Sequence, residues 1–297
     1  MNKSGLIFRG VLSAIITPFD PEGNVDFSAL KDVVRFQIDG GIHGFFVCGT
    51  MGEGILMSVE ERKAVAEAVV REAGGKVPVI IHVGAINTGD SVELARHAEK
   101  IGADGIGVIT PFFFKPDLEG LMVHYRLIAE AVNIPVLIYN IPQMTDFNVT
   151  PKIFRRLCTI DNIVGIKDSS GNLSQIQELI ETAPKPVTVI NGADGILLAA
   201  LLVGADAEIS GTANAFPELL VELYESFKEG DYKQALKLQR RVNELKRILS
   251  DGPLIAPIKA ALELRGVKAG LPRKPLRPLT PEETAKLRDK LNALNLL

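Results

Sequence analysis

Short runs rich in valine and isoleucine return eight times along the chain, each ending in Gly, Thr, Pro, Asn or Asp. They are GVLSAIITPF from Gly10, HGFFVCGT from His43, PVIIHVGA from Pro78, GIGVITPF from Gly105, PVLIYNIP from Pro135, NIVGIKDSS from Asn162, PVTVINGAD from Pro186 and AEISGTANA from Ala207. Near-continuous β-branched runs, as opposed to alternating ones, mark strands buried on both faces. Seven of them lie between stretches of helical period. LKDVVRFQIDGG, EERKAVAEAVVREAGG and SVELARHAEKIGA carry apolar residues at i, i+3 and i+4 and stop at glycine. Strands alternating with helices imply a parallel sheet. Strand number and a spacing of roughly 20 to 35 residues favour a closed (β/α)8 TIM barrel. An open dinucleotide-binding sheet calls for Gly-x-Gly-x-x-Gly after the first strand, where this chain has ITPFDPEGN.

After Phe216 the strand pattern ends and only helices are predicted. PELLVELYESFKEG closes the barrel, and three further helices form a C-terminal appendage. They are DYKQALKLQRRVNELKRILS, PLIAPIKAALELRG and, past the Pro-rich PRKPLRPL, TPEETAKLRDKLNAL. The expected division is a catalytic barrel over residues 1–230 and a helical extension over residues 231–297. PRKPLRP itself reads as a solvated loop.

Composition narrows the function classes. The 297 residues carry a net charge of −3, with no basic footprint for nucleic acid. The longest apolar stretch, Ile196 to Val203, is far short of the roughly 20 residues that span a bilayer. The opening MNKSGLIFRG lacks the features of a signal peptide. Two cysteines, Cys48 and Cys158, cannot build a disulfide framework, which points to a reducing, cytoplasmic compartment. Four scattered histidines show no metal-ligand spacing, so no metal is expected. A mean hydropathy of +0.19 suggests an oligomer.

In a barrel of this kind the reactive groups stand at the C-terminal ends of the strands. Lys167 in IVGIKDSS is the residue there that packing would not choose. A free lysine leaves only about one amine in 2,500 unprotonated at pH 7. Desolvation lowers its pKa and yields a nucleophile suited to a carbonyl. The competing reading is a lysine that reaches the rim or pairs with Asp168. Tyr139, at the end of the fifth strand, shares a strand face with Leu137, as Lys167 does with Gly165, and the small Gly165 leaves room beneath the amine. A phenol beside an amine can relay protons, or it can simply anchor the barrel mouth. GTMGEG, Gly49 to Gly54, offers consecutive backbone amides opening a helix, an anion nest, with Glu53 placed where a helix N-terminus favours an acid. Together these suggest a carboxylate held beside a carbonyl, a 2-oxo acid. Cys48 and His82 read as buried core residues. Phe112, Phe113 and Phe114 either floor the pocket or pack a neighbouring subunit.

The set GTMGE, TPFFF, YNIP, GIKDSSGN, NGAD and ISGTAN, in this order across the chain, resembles the dihydrodipicolinate synthase/N-acetylneuraminate lyase superfamily of pyruvate-dependent class I aldolases. The resemblance implies Lys167 as Schiff-base lysine, Tyr139 as proton relay and Thr50 steadying it. It further implies that Gly49, Thr50 and the Met51 amide hold the pyruvate carboxylate and that the Ile209 carbonyl lies near the lysine. Ser169, Gly192 and Asp194 are implied along the substrate's remainder. No cofactor beyond the covalent Schiff base is expected, and a homotetramer or dimer is. Several departures point toward the sugar-acid side. Met51 stands where dihydrodipicolinate synthases carry a second threonine, Phe113 where they carry a second relay tyrosine, and Met144 where an arginine grips the aldehyde's carboxylate. Gly195 stands where sialic-acid lyases have a glutamate. A lyase that splits or forms a 2-oxo-3-deoxy sugar acid is therefore expected, with dihydrodipicolinate synthase as the alternative. A silent 2-oxo-acid-binding protein and a phosphate-binding barrel isomerase are the rivals from other classes.

Overall fold

The computed structural model describes residues 8–297, and the reading of the first seven residues as lacking a signal segment lies outside them. The eight predicted runs each supply one strand. These are β1 Gly10–Ser13, β2 Gly44–Val47, β3 Val79–His82 and β4 Gly105–Ile109, then β5 Val136–Asn140, β6 Ile163–Asp168, β7 Thr188–Asn191 and β8 Ala207–Ser210. All neighbours pair in parallel, and β8 returns to β1, so the sheet closes into a TIM barrel in sequence order.

Strand alternation sorts the core into two bodies. Leu12, Phe46, Ile80, Leu137, Ile190 and Ile209 fill the barrel, while Val11, Phe45, Val47, Ile106, Ile166 and Val189 pack outward against the helices. Glycine is required where two of these layers crowd. A Cβ at Gly107 would stand 2.5 Å from the Phe46 ring. At Gly165 it would stand 2.0 Å from the Thr188 carbonyl oxygen, so that glycine admits the neighbouring strand and does not, as expected, make room for Lys167.

Helices Pro217–Lys228, Tyr232–Leu249, Ala256–Leu264 and Pro281–Ala293 follow the last strand. Two side chains beyond the barrel reach back to its mouth. Lys259 is buried and pairs with Glu53 at 2.7 Å, donating also to the carbonyls of Thr17 and Leu271. Arg273 lies over the Phe19 ring and pairs with Glu61. Its backbone amide donates to Glu53. PRKPLRP is the solvated loop its composition suggested, with Lys274, Pro275, Arg277 and Pro278 exposed, but its first arginine is tied down.

Candidate active site

Strand β6 delivers Lys167 into the barrel with 4% of its surface exposed. Lys167 is in register with Tyr139 on β5. Its Nζ lies 4.2 Å from the Tyr139 ring centroid and 4.4 Å from that of Phe46. It neither reaches the rim nor pairs with Asp168. That carboxylate faces the opposite side of the sheet and accepts from Asn140, Gln175 and the Ser170 amide. Burial pulls the Lys167 pKa from 10.5 to about 7, against the opposing pull of Glu208 and Asp194. A large share of the amine is therefore neutral, and nucleophilic, at ordinary pH. Room for the side chain comes from Gly192, where a Cβ would lie 3.0 Å from the Lys167 Cε.

Tyr139 Oη and Thr50 Oγ1 are hydrogen-bonded at 3.1 Å, and Ser169 shares the phenol. Burial raises the Tyr139 pKa to about 12, so the phenol holds its proton at neutral pH. His82 stands edge-on to the same ring, its Nδ1 on the Cys48 carbonyl oxygen. Burial and the Arg62 charge push its pKa far down, so it is a neutral buttress. Burial raises the Cys48 thiol to about 11, which removes it as a nucleophile.

The GTMGEG turn departs from expectation. It does not open a helix. The chain folds back through a 3-10 turn at Gly54–Leu56, and the helix Val59–Ala73 starts later, at a Ser58 capping box. Gly54 is needed because its Cβ would lie 1.9 Å from the Cys48 carbonyl oxygen. Glu53, in left-handed backbone at φ 55°, is buried against Lys259 and does not serve a helix dipole. Among the described residues no acceptor takes the Thr50 or Met51 amide, so both remain free for an anion.

Above the lysine opens a cavity of about 620 Å³, lined by Thr50, Met51, Tyr139, Ser169, Gly192 and Ile209 among others. That is the size of a small-molecule site. The structure therefore gathers Lys167, Tyr139, Thr50, Met51, Ser169, Gly192, Asp194 and Ile209 around one space, with Gly49 in the turn behind Thr50. Asp194 lines this space with one carboxyl oxygen already engaged. Its Oδ2 accepts from the Thr212 amide and hydroxyl, so the carboxylate is held in the wall. The sequence reading missed Lys246, Leu249 and Leu254, which come from the appendage to line the same cavity. Met144 lines it without charge, so Lys167 and Lys246 are the cations there. The three phenylalanines divide. Phe112 packs toward the barrel, whereas Phe113 and Phe114 are 80% and 74% exposed.

A closed parallel barrel with a desolvated lysine, a phenol and free backbone amides at the C-terminal strand ends defines a class I lyase site. The chain belongs to the dihydrodipicolinate synthetase family, whose family model matches residues 7–294. Across 98% of both chains it is 38% identical to a protein of Desulfotalea psychrophila named 4-hydroxy-tetrahydrodipicolinate synthase. Its fold matches that of YagE from E. coli K12, solved in complex with pyruvate, with a TM-score of 0.95 at 30% identity over 98% of this chain and 100% of that one. A Ruminococcus gnavus sialic acid aldolase, solved as a catalytic lysine mutant, gives 0.93 at 33% identity over 97% and 96% of the two chains.

Proposed function

We propose that this protein is a Schiff-base-forming, pyruvate-dependent aldolase that splits or forms a 2-oxo-3-deoxy sugar acid. The observation that carries the reading is the buried Lys167 amine beside the Tyr139 phenol, with the free amides of Thr50 and Met51 in the same cavity. Lys167 attacks the pyruvate ketone, and loss of water from the carbinolamine gives the iminium. The water just released takes a proton from the methyl carbon to form the enamine, whose new bond to the aldehyde carbon turns the carbonyl oxygen into an alkoxide. Tyr139, steadied by Thr50, protonates that oxygen and is reprotonated by the water that took the methyl proton, and hydrolysis of the iminium frees the product and the amine. In the cleavage direction the same groups act in reverse.

Borohydride added with pyruvate should fix one reduced pyruvate on Lys167, read by peptide mass. Mass gain at another residue, or none, removes the mechanism. A panel of glyceraldehyde, N-acetylmannosamine and aspartate semialdehyde decides the aldehyde. The alternative, dihydrodipicolinate synthase, draws support from the names of the relatives. Against it stands the uncharged Met144, which leaves Lys246 as the only cation besides the nucleophile that lines the cavity among the described residues. Clear preference for aspartate semialdehyde would establish the alternative. Trapping without turnover of any aldehyde would leave a silent 2-oxo-acid binder. The same reading takes residues 1–230 as the catalytic barrel and 231–297 as its extension. It takes the exposed Phe113 and Phe114 as part of a contact between copies in a dimer or tetramer, measurable by sedimentation.

A further inference from the structure

Glu208 sits in the middle of β8, wholly buried and, by alternation with the inward Ile209, on the outward face of the barrel. Its partner in register on β1 is Val11. Among the described residues it forms no ion pair with a cation. One carboxyl oxygen accepts from Asn191 Nδ2 on β7, and the other, Oε1, has no donor. The group facing it is another carboxyl, that of Asp194, within hydrogen-bonding reach and likewise left with one oxygen, Oδ1, without a donor. Two buried acids in this arrangement cannot both be ionised, since like charges without counter-ions repel and neither is solvated. A single proton between the two orphan oxygens satisfies both at once. Asp194 already takes two donors from Thr212 on its other oxygen, while burial, with that acid beside it, raises the Glu208 pKa well above the usual carboxylate range, so Glu208 holds the proton.

We propose that Glu208 is a positioning residue that works as a neutral acid, donating its Oε1 proton to Asp194 and thereby fixing the end of β7 against the Lys167 side chain. The pair joins four parts of the molecule. Asn191 and Gly192 end β7, Thr212 follows β8, and Gln239 of helix Tyr232–Leu249 donates to the Asp194 carbonyl oxygen. An added Cβ at Gly192 would lie 3.0 Å from the Lys167 Cε, so a shift of this strand end changes the packing of the amine. Charge matters as well as position. Both acids lie close enough to act on the lysine, and an ionised Glu208 would hold a proton on the amine. The neutral form removes one of the two charges that oppose its deprotonation. Besides Lys167 and Asp194, the side chains around the pair are the uncharged Asn191, Thr212 and Gln239.

The test has two arms. Infrared difference spectra between the wild type and E208Q should show loss of a protonated-carboxyl C=O stretch at neutral pH, whatever Lys167 does. Absence of that band from the difference overturns the shared proton. The second arm rests on Lys167 being the imine-forming amine and follows borohydride trapping of pyruvate against pH. Glu208→Val should slow trapping by about tenfold, the effect of stranding a buried acceptor. Glu208→Gln, a neutral donor of the same shape, should restore it to within about twofold with the acid limb of the profile unmoved. A limb displaced to lower pH in E208Q would mean that the wild-type residue is ionised, and wild-type trapping in E208V would refute the positioning role. Should E208V fail to fold, E208Q and the infrared band still decide. Failure of pyruvate trapping in the wild type would count against the lysine reading alone and leave the infrared result standing.

Discussion

Replacing Lys167 with methionine should make the protein more stable, by an amount that depends on pH in a way the structure specifies. The side chain is 4% exposed, and burial lowers its pKa from 10.5 to about 7. The unfolded chain binds that proton more readily than the folded one, so native stability rises as pH climbs from about 7 toward 10.5. Below about 7 the whole cost of the buried ammonium is present, and above 10.5 none of it is. At about 1.4 kcal/mol for each tenfold change in proton affinity, the cost is about 5 kcal/mol at pH 6, about 4 at pH 7 and about 2 at pH 9. Methionine is unbranched and of similar length, and it can lie against Phe46 and Tyr139 without needing water. Urea unfolding of K167M and wild type across pH 6 to 10 measures the difference. The expected gain is several kcal/mol at acid pH, shrinking steadily toward alkaline pH. An equal gain at every pH, or a loss, would refute the argument that desolvation activates this amine.

The same desolvation predicts that pyruvate trapping accelerates as pH passes through about 7 and then levels off. A midpoint above 9 would contradict it. Tyr139→Phe should slow aldol turnover by about a hundredfold or more while imine trapping continues, because the phenol is needed at the aldehyde oxygen. Equal loss of both would place the phenol earlier in the sequence. Lys259→Met orphans the Glu53 carboxylate and should cost about 3–5 kcal/mol in chemical denaturation, most of it recovered in K259M/E53Q. No recovery in the double variant would mean that the lysine acts through packing alone. Lys246→Met should raise the KM for anionic aldehydes by about tenfold and leave that for glyceraldehyde unchanged. Equal effects on both would remove Lys246 from substrate recognition.

Strand ends and their chemistry were legible because they depend on short-range pattern. Period-2 alternation alone puts Lys167 with Gly165 on one face of β6 and Tyr139 with Leu137 on one face of β5, and the register then brings the two polar groups together on the inner side of the barrel. What was not legible depends on contacts distant in sequence. Gly165 looked like space for a lysine, yet the Thr188 backbone fills that space. Glu53 looked like a helix-terminal acid because its partner, Lys259, lies 206 positions away by residue number. Glu208 sits in a run that reads simply as strand. Parity with the inward Ile209 turns it outward, but only the packed shell shows it wholly buried there, with no cation paired to it among the described residues. Lys246 could not be read as a cavity residue from a helix whose docking angle the sequence does not state.

The Glu53 clamp has a consequence for biosynthesis. Its carboxylate, three residues from Thr50, is met by Lys259 and by the backbone of Arg273, the latter 220 positions further along the chain. A ribosome therefore finishes all eight strands well before it supplies the charge that quiets this acid. Until those late residues emerge from the exit tunnel, the turn carrying Thr50 lacks the Lys259 and Arg273 contacts that hold its Glu53 side chain in place. Nascent chains and products of premature stop codons are accordingly expected to be inert, so that catalytic competence reports completed translation.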